Sequence, residues 1–460
     1  MDKNALQPPV GKKPVTRRSF LQRSAGAALG LGAWTALSAD RVIGANERVN
    51  VALIGCGGRG GFVLRVMIEE AGANCVCLCD LSDRRLEKMW EFIQPAQPNK
   101  PRFEKDFHKV FESKDVDAVI VATPDNWHAP LTIMACQAGK DVYVEKPHSH
   151  CMWESGKMVE AAAKYKRIVQ VGTQNRSTEY NQQARDVVQS GKLGKIGLVK
   201  VFNLKNGLPF KLGDPGKQPE GFDWDRWLGR AAWRPYHQRI WQGGWHWNWD
   251  YCGGDLTDDS IHQLDLALMV MGDPGLPTSV RALGGRYIHT GDDAEVPDVL
   301  NIAWDFSSFV MTFDMTQYPV YMEKSTDALR KKKNLVPDWT QNATRIEFYG
   351  QDMLMILGRH GGGFVVEKAS SQIVEKVYGT PGDRVHYLNF IECVKSRKQP
   401  NADIAVAHAS NLIAHMGNIA HRVGNVSMKY DAKTGAFDNP AANAMFKDTY
   451  RKGYEIPDTV

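Results

Sequence analysis

The run Val49-Asn-Val-Ala-Leu-Ile-Gly55-Cys-Gly57-Gly-Arg-Gly60 decides the fold. Six residues of mostly apolar, β-type sequence lead into glycines spaced G-x-G-x-x-G, and a helix is predicted over 61–70. In such a turn Gly55 permits the tight bend, Gly57 lets the backbone approach a pyrophosphate, and Gly60 lets helix and strand pack closely. The helix N-terminus adds unpaired N–H groups and a partial positive charge for phosphates. Gly58 and Arg59 complete the predicted phosphate-facing loop. A second strand, Cys75-Val-Cys-Leu-Cys-Asp80, ends in a carboxylate 25 residues after Gly55, close to the usual spacing of about 20. Asp80 is expected to accept hydrogen bonds from ribose hydroxyls and to repel a 2′-phosphate, which favours NAD. Arg84 and Arg85 offset part of that repulsion, so NADP remains the alternative.

Strand and helix continue to alternate downstream. Residues 117–124 and 141–144 read as buried parallel strands, 127–138 and 151–164 as helices, and 168–172 as a further strand. An α/β fold follows: a Rossmann dinucleotide-binding domain over 47–172 and an α+β domain with a mostly antiparallel sheet over 173–460. In the second domain, strand-like segments at 197–202, 279–287, 299–306, 308–315, 344–350 and 352–357 are joined by loops rather than regular helices. Two helices are expected near 384–397 and 405–422.

The first 46 residues read as an export signal. Thr16-Arg17-Arg18-Ser19-Phe20-Leu21-Gln22 has the twin-arginine pattern, and the apolar stretch over 25–37 is too short for a membrane core that needs about 20 residues. That segment holds seven Lys/Arg against two Asp/Glu, so the rest of the chain carries 50 of each and is formally neutral. No basic surface remains to imply a nucleic-acid partner. The expected location is periplasmic, reached through the twin-arginine machinery. That pathway carries folded proteins, so the nucleotide is expected to travel tightly bound.

Eight cysteines are too few for a disulfide framework in a chain of 460 residues. Cys75, Cys77 and Cys79 alternate along one strand and are expected to share a buried face. No second ligand group lies nearby, and no metal is expected.

Three constellations carry chemistry. Glu145-Lys146-Pro147 follows a parallel strand at the sheet's carboxyl edge, where doubly wound folds bind ligands. A lysine there can bond to a substrate hydroxyl and stabilise charge on its oxygen. In Gly253-Gly-Asp-Leu-Thr-Asp258-Asp-Ser-Ile-His262-Gln-Leu-Asp265, the spacing places Asp258, His262 and Asp265 on one face of a helix. A histidine flanked by carboxylates suits general-base work, and a merely structural helix start fits the same spacing. Finally, Trp224, Trp227, Trp233, Trp241, Trp245, Trp247 and Trp249 crowd into one irregular region at 206–251. Such rings stack on sugar C–H faces or build a satellite core; Trp245 and Trp247 are the expected substrate contacts.

Taken in order, Gly55-x-Gly57-x-x-Gly60, Asp80, Ala122-Thr123-Pro124 with His128, Glu145-Lys146-Pro147 and Asp258-x-x-x-His262 resemble the glucose-fructose oxidoreductase / inositol dehydrogenase (Gfo/Idh/MocA) family over most of residues 47–425. The resemblance implies a nucleotide site that includes Thr123, Pro124, His128, Glu145 and Lys146. It further implies a catalytic group of Lys146, Asp258 and His262, a cis peptide before Pro147, and a large open sheet whose exposed face forms a homodimer or tetramer. Ser260 departs from the glycine of many relatives and is expected to add a polar contact or narrow the pocket. The implied activity is hydride transfer between NAD and a secondary hydroxyl of a sugar, glycoside or cyclitol. The alternative is a redox-neutral hydrolase or lyase that passes through a transient keto-sugar.

Overall fold

Apolar strands alternate with helices over residues 50–171, and the strands at 118–121, 141–144 and 169–171 are buried on both faces, as strands of a covered parallel sheet are. The computed structural model describes residues 48–207 and 209–460; the twin-arginine stretch lies outside them. β1 (Asn50–Ile54), α1 (Gly58–Ala71), β2 (Asn74–Cys79), α2 (Asp83–Ile93), β3 (Arg102–Glu104), α3 (Phe107–Glu112), β4 (Ala118–Val121), α4 (His128–Gln137), β5 (Asp141–Val144), α5 (Met152–Lys164) and β6 (Val169–Val171) succeed one another. The strands form a parallel sheet ordered β3-β2-β1-β4-β5-β6. The order reverses between β1 and β4, so the crevice at their carboxyl ends lies beside the glycine loop.

One expectation about β2 fails. A bulge at Val76 pairs Val51 with Cys75 but Ala52 with Cys77. The extra residue shifts the alternation, so Cys75 enters the core against α1 while Cys77 and Cys79 enter the core on the opposite side. All three are buried small apolar groups.

The second sheet has ten strands: β7 (Ile196–Leu204), β8 (Ser279–Gly285), β9 (Val299–Asp305), β10 (Val310–Thr316), β11 (Arg345–Gly350), β12 (Leu354–Gly358), β13 (Phe364–Lys368), β14 (Gln372–Val377), β15 (Ser427–Asp431) and β16 (Ala436–Phe437). Its order is β14-β13-β12-β11-β7-β10-β9-β8-β15-β16, antiparallel throughout except for β7 beside β10. Strict alternation in β8, β9 and β10 sends Val280, Ala282, Leu300, Ile302, Trp304, Met311 and Phe313 to one face. Against that face pack α6 (Glu179–Gln189), α8 (Ile261–Val270) and α10 (Ile404–Arg422). Trp304 is fully buried there and donates its indole N–H to the Ile413 carbonyl at 3.1 Å. The opposite face carries Lys200, Phe202, Arg345, Tyr349, Asn301 and Leu283, half-buried or exposed in the single chain.

The chain after residue 173 does not stay in the second lobe. α9 (Asp383–Ser396) packs against α1, with Tyr387 edge-on to Phe62 and to Tyr143 of β5. The C-terminal tail returns as well, seating Ile456 and Val460 in the core beneath the parallel sheet. The two sheets are therefore tied by their own chain on two sides.

Candidate active site

The glycine loop is shaped by close backbone packing. Gly55 has φ +95°, and a Cβ there would meet the Ala122 carbonyl oxygen at 2.5 Å. A Cβ on Gly60 would meet the Gly55 carbonyl oxygen at 2.6 Å. Gly57 and Gly58 instead open onto free space, and Gly57 caps α1 without any side-chain hydrogen bond. The first-turn N–H groups of α1 thus face a cleft, as an anion-binding N-terminus requires. Asp80 holds this loop in place: its carboxylate accepts from the Cys56 and Ser82 backbone N–H groups, each at 2.9 Å. Arg85 lies beside it, stacked over the Trp241 ring, whereas Arg84 is exposed to solvent.

Thr123, Pro124, Asp125, His128, Glu145 and Lys146 line the same cleft, a cavity of about 800 Å³ that also contains Gly57, Gly58 and Arg59. His128 sits behind its wall, with one ring nitrogen 2.6 Å from the Pro147 carbonyl and the other 2.9 Å from that of Thr123. It joins the ends of the two strands rather than projecting far into the cavity. Arg59 donates to Glu145 at 2.7 Å. The Lys146–Pro147 peptide is cis. Thr123 Oγ1 is buried here without a hydrogen-bond partner. An uncapped helix start, open glycines and an orphaned hydroxyl fit a dinucleotide.

Across the cavity, Lys146 Nζ lies 2.5 Å from Asp258 Oδ1. Asp258 ends α7 (Gly254–Asp258), and His262 is the second residue of α8, one tight turn later. The expected continuous helix is two helices joined at Asp259–Ser260. Asp258 and His262 both reach the cavity, but Asp265 does not share their face. Asp265 is fully buried on the core side, where Arg176 Nε donates to both its oxygens at 2.9 Å and the Ser410 hydroxyl donates at 2.8 Å. A buried carboxylate needs such partners, and Arg176 and Ser410 supply them on the core side. Ser260 is also fully buried: it accepts from the Asn203 amide at 2.8 Å and donates to Asp255 at 3.2 Å. It adds the expected polar contact and leaves the pocket unnarrowed.

The electrostatics favour a charged pair beside a neutral ring. Burial alone would raise the Asp258 carboxyl, but the charges of Lys146, His246 and Lys205 reverse that and hold it well below the usual range. Burial works against the Lys146 ammonium, yet Asp258 and Glu145 raise it above its ordinary value. His262 is pushed well below the usual imidazole range by burial and by the nearby charges of Arg359 and Lys146. At neutral pH the site therefore holds a lysine ammonium, an aspartate and an uncharged imidazole.

Several lining residues escape any sequence pattern. Asp259 is gripped by Lys205 at 2.8 Å, Lys324 at 2.6 Å and Arg359 at 2.8 Å, cations from three separate segments. Asp125 is buried, with one carboxylate oxygen unpartnered; burial and the Asp258 charge both raise it. His246 stacks on Trp245 at 3.6 Å and places Nε2 3.9 Å from Asp258. Its Nδ1 lies 2.6 Å from the Gly243 carbonyl, an acceptor, so Nδ1 donates there. The tryptophans divide between the two expected roles. Trp224 and Trp227 stack at 4.7 Å inside a satellite core with Phe222, Tyr236 and Tyr251. Trp245 lines the main cavity, while Trp247 lines an adjoining one.

These features define a two-lobed, dinucleotide-binding protein with a polar cleft between a parallel and a mixed sheet. Residues 49–173 match the oxidoreductase family with an NAD-binding Rossmann fold, 181–353 the GFO/IDH/MocA C-terminal domain, and 346–456 the oxidoreductase-family C-terminal alpha/beta domain. The chain belongs to the Gfo/Idh/MocA family, and its first domain is an NAD-binding Rossmann domain. Among curated relatives, inositol 2-dehydrogenase 4 of Saccharopolyspora erythraea is 33% identical over 36% of this chain and 48% of its own. A glycosyl hydrolase family 109 protein of the same organism is 29% identical over 40% and 44%. The chain spans about half the length of the curated relatives it matches. Levoglucosan dehydrogenase, solved with NADH and levoglucosan, superposes with TM-score 0.61 at 17% identity over 83% of this chain and 99% of its own. The aldose-aldose oxidoreductase of Caulobacter crescentus gives 0.61 at 19% identity over 83% and 100%. At these identities the structural likeness speaks for the fold.

Proposed function

We propose that this protein is an NAD-dependent oxidoreductase that oxidises a secondary hydroxyl of a sugar, glycoside or cyclitol. One observation carries the reading: the Lys146–Asp258 pair and His262 line the same cavity as Gly57, Gly58 and Thr123 of the nucleotide site. NAD, when bound, supplies the acceptor for the hydride that leaves the carbinol carbon. Lys146 donates a hydrogen bond to the hydroxyl oxygen and stabilises the negative charge that develops there. Asp258 fixes the ammonium and keeps it protonated. The uncharged His262 imidazole takes the hydroxyl proton. Trp245 forms a wall suited to the C–H face of a ring.

The test is reduced-nicotinamide absorbance on a panel of hexoses, polyols and glycosides, with mass spectrometry of any nucleotide released on denaturation. Substrate-dependent NADH formation is expected. Glycosidic cleavage with no net NADH would move the assignment to the redox-neutral chemistry suggested by the family 109 relative. The Thr16–Gln22 pattern supports export with the nucleotide already seated. The half-buried outer face of the ten-stranded sheet supports self-association, which light scattering coupled to gel filtration measures.

A further inference from the structure

The cleft has a second chamber. A cavity of about 640 Å³ adjoins the first through a shared wall of Lys205, His246, Asp258 and Lys324. None of the glycine loop, the Thr123–Pro124 segment or Glu145–Lys146 lines it, so it is no extension of the nucleotide site. Its floor is aromatic. Trp247 and Phe210 stack with centroids 6.5 Å apart and planes inclined by 27°, and the Arg239 guanidinium lies 6.0 Å from the Phe210 centroid. Asn206, Gln317 and Lys324 rim the same space, and Met322 closes another side.

An apolar platform ringed by amide and cationic donors recognises a sugar ring: C–H groups lie on the aromatic faces, and hydroxyls meet the polar rim. The first chamber must hold both nucleotide and reacting ring within about 800 Å³. The second matches a whole ligand pocket in size, about 300–1,000 Å³ by general experience, yet contains neither Lys146 nor His262. We propose that the second chamber seats the non-reacting ring of a two-ring glycoside, whose glycosidic bond crosses the Asp258–His246 wall while its other ring is oxidised beside Lys146. This rests on the reading of the cleft as a sugar-oxidising site and narrows its substrate class from sugars, glycosides and cyclitols to two-ring glycosides.

The test uses the full chain with added NAD. Steady-state kinetics compare each monosaccharide of the panel with disaccharides built from it, and saturation-transfer NMR reads binding of the same disaccharides. The best disaccharide is expected to exceed its parent monosaccharide at least tenfold in kcat/KM. Trp247→Ala should lower the disaccharide value at least tenfold more than the monosaccharide value and abolish transfer to the second ring. Met322→Trp, which fills the chamber while keeping Trp247 and Phe210, should do the same if Trp247→Ala fails to fold. Equal kcat/KM for one- and two-ring substrates, or a parallel fall for both in the variants, overturns the proposal while leaving hydride transfer standing. If no sugar reduces NAD, the activity reading fails and the chamber is judged by NMR alone. Disaccharide transfer lost in Met322→Trp then upholds the proposal, and its absence in the unmodified protein, or its persistence in the variant, overturns it.

Discussion

At the residue scale the site is built from one short ion pair and one neutral ring, each kept in its state by neighbours. Lys146 and Asp258 are 112 positions apart in sequence, so only the fold makes them partners. Removing the ammonium takes the nearest counter-charge from the half-buried Asp258 carboxylate and removes the donor for the developing oxyanion. Losing one such donor costs about 10²–10³ in kcat by general experience. Lys146→Ala should therefore lower kcat by that order while the nucleotide content of the purified protein falls far less. A variant that keeps full turnover, or that loses nucleotide in step with turnover, removes the assignment. The protonation states set a pH profile. Because Lys146 is raised and Asp258 lowered, neither titrates between pH 6 and 9. Because His262 is held well below 6.5, its protonation sets an acidic limb below that value. A plot of log kcat/KM against pH should be level from 7 to 9 and fall only under about 6.5. A limb centred above 7 would assign proton transfer to another group.

At the element scale the glycine loop separates packing from binding. Ala on Gly60 drives a methyl into the Gly55 carbonyl at 2.6 Å and the Leu53 side chain at 2.9 Å, an overpacking of about 1–3 kcal/mol. Ala on Gly57 meets nothing within 4 Å but stands where a pyrophosphate would approach. Gly60→Ala should lower the thermal midpoint, whereas Gly57→Ala should leave it in place and weaken NAD binding measured by calorimetry. Equal thermal loss in both would contradict the loop geometry. This element was legible because its signal is local: apolar strand, spaced glycines and helix all lie within residues 50–71. Legibility falls as determinants spread. The bulge at Val76 has no marker in a run of Val and Cys, so the faces of Cys75 and Cys77 were misread together. The break at Asp259–Ser260 depends on Asn203, Lys205, Lys324 and Arg359, none of them near it in sequence. Four strands of the second sheet were missed; two are edge pieces, β14 with a polar, exposed sequence and β16 with two residues. Asp258, His262 and Lys146 were found from their own spacing and strand position, but the cationic wall behind them was invisible.

At the scale of the whole molecule, buried imidazoles fasten the returning C-terminal helices to the first domain. His386 of α9 is fully buried, with Nε2 3.0 Å from the Val171 carbonyl at the end of β6 and Nδ1 2.8 Å from the Ser177 hydroxyl. A neutral ring satisfies both, donating to the first and accepting from the second. His415 of α10 is buried with Nε2 3.1 Å from the Ser149 carbonyl, three residues beyond Lys146. Burial pushes each down to about 4. The folded protein thus binds fewer protons than the unfolded chain wherever pH lies between about 4 and the ordinary 6.5. Stability is then fully present above 6.5 and is lost as pH falls through this window, by about 2 kcal/mol for each ring at pH 5. The urea midpoint should accordingly drop between pH 7.5 and pH 5. His386→Gln, whose amide can keep both hydrogen bonds but does not titrate, should shrink that drop by the share of one ring, about 2 kcal/mol by the same linkage. A midpoint that does not move between the two pH values, or one that moves equally in His386→Gln, would show that these rings do not lock the two domains.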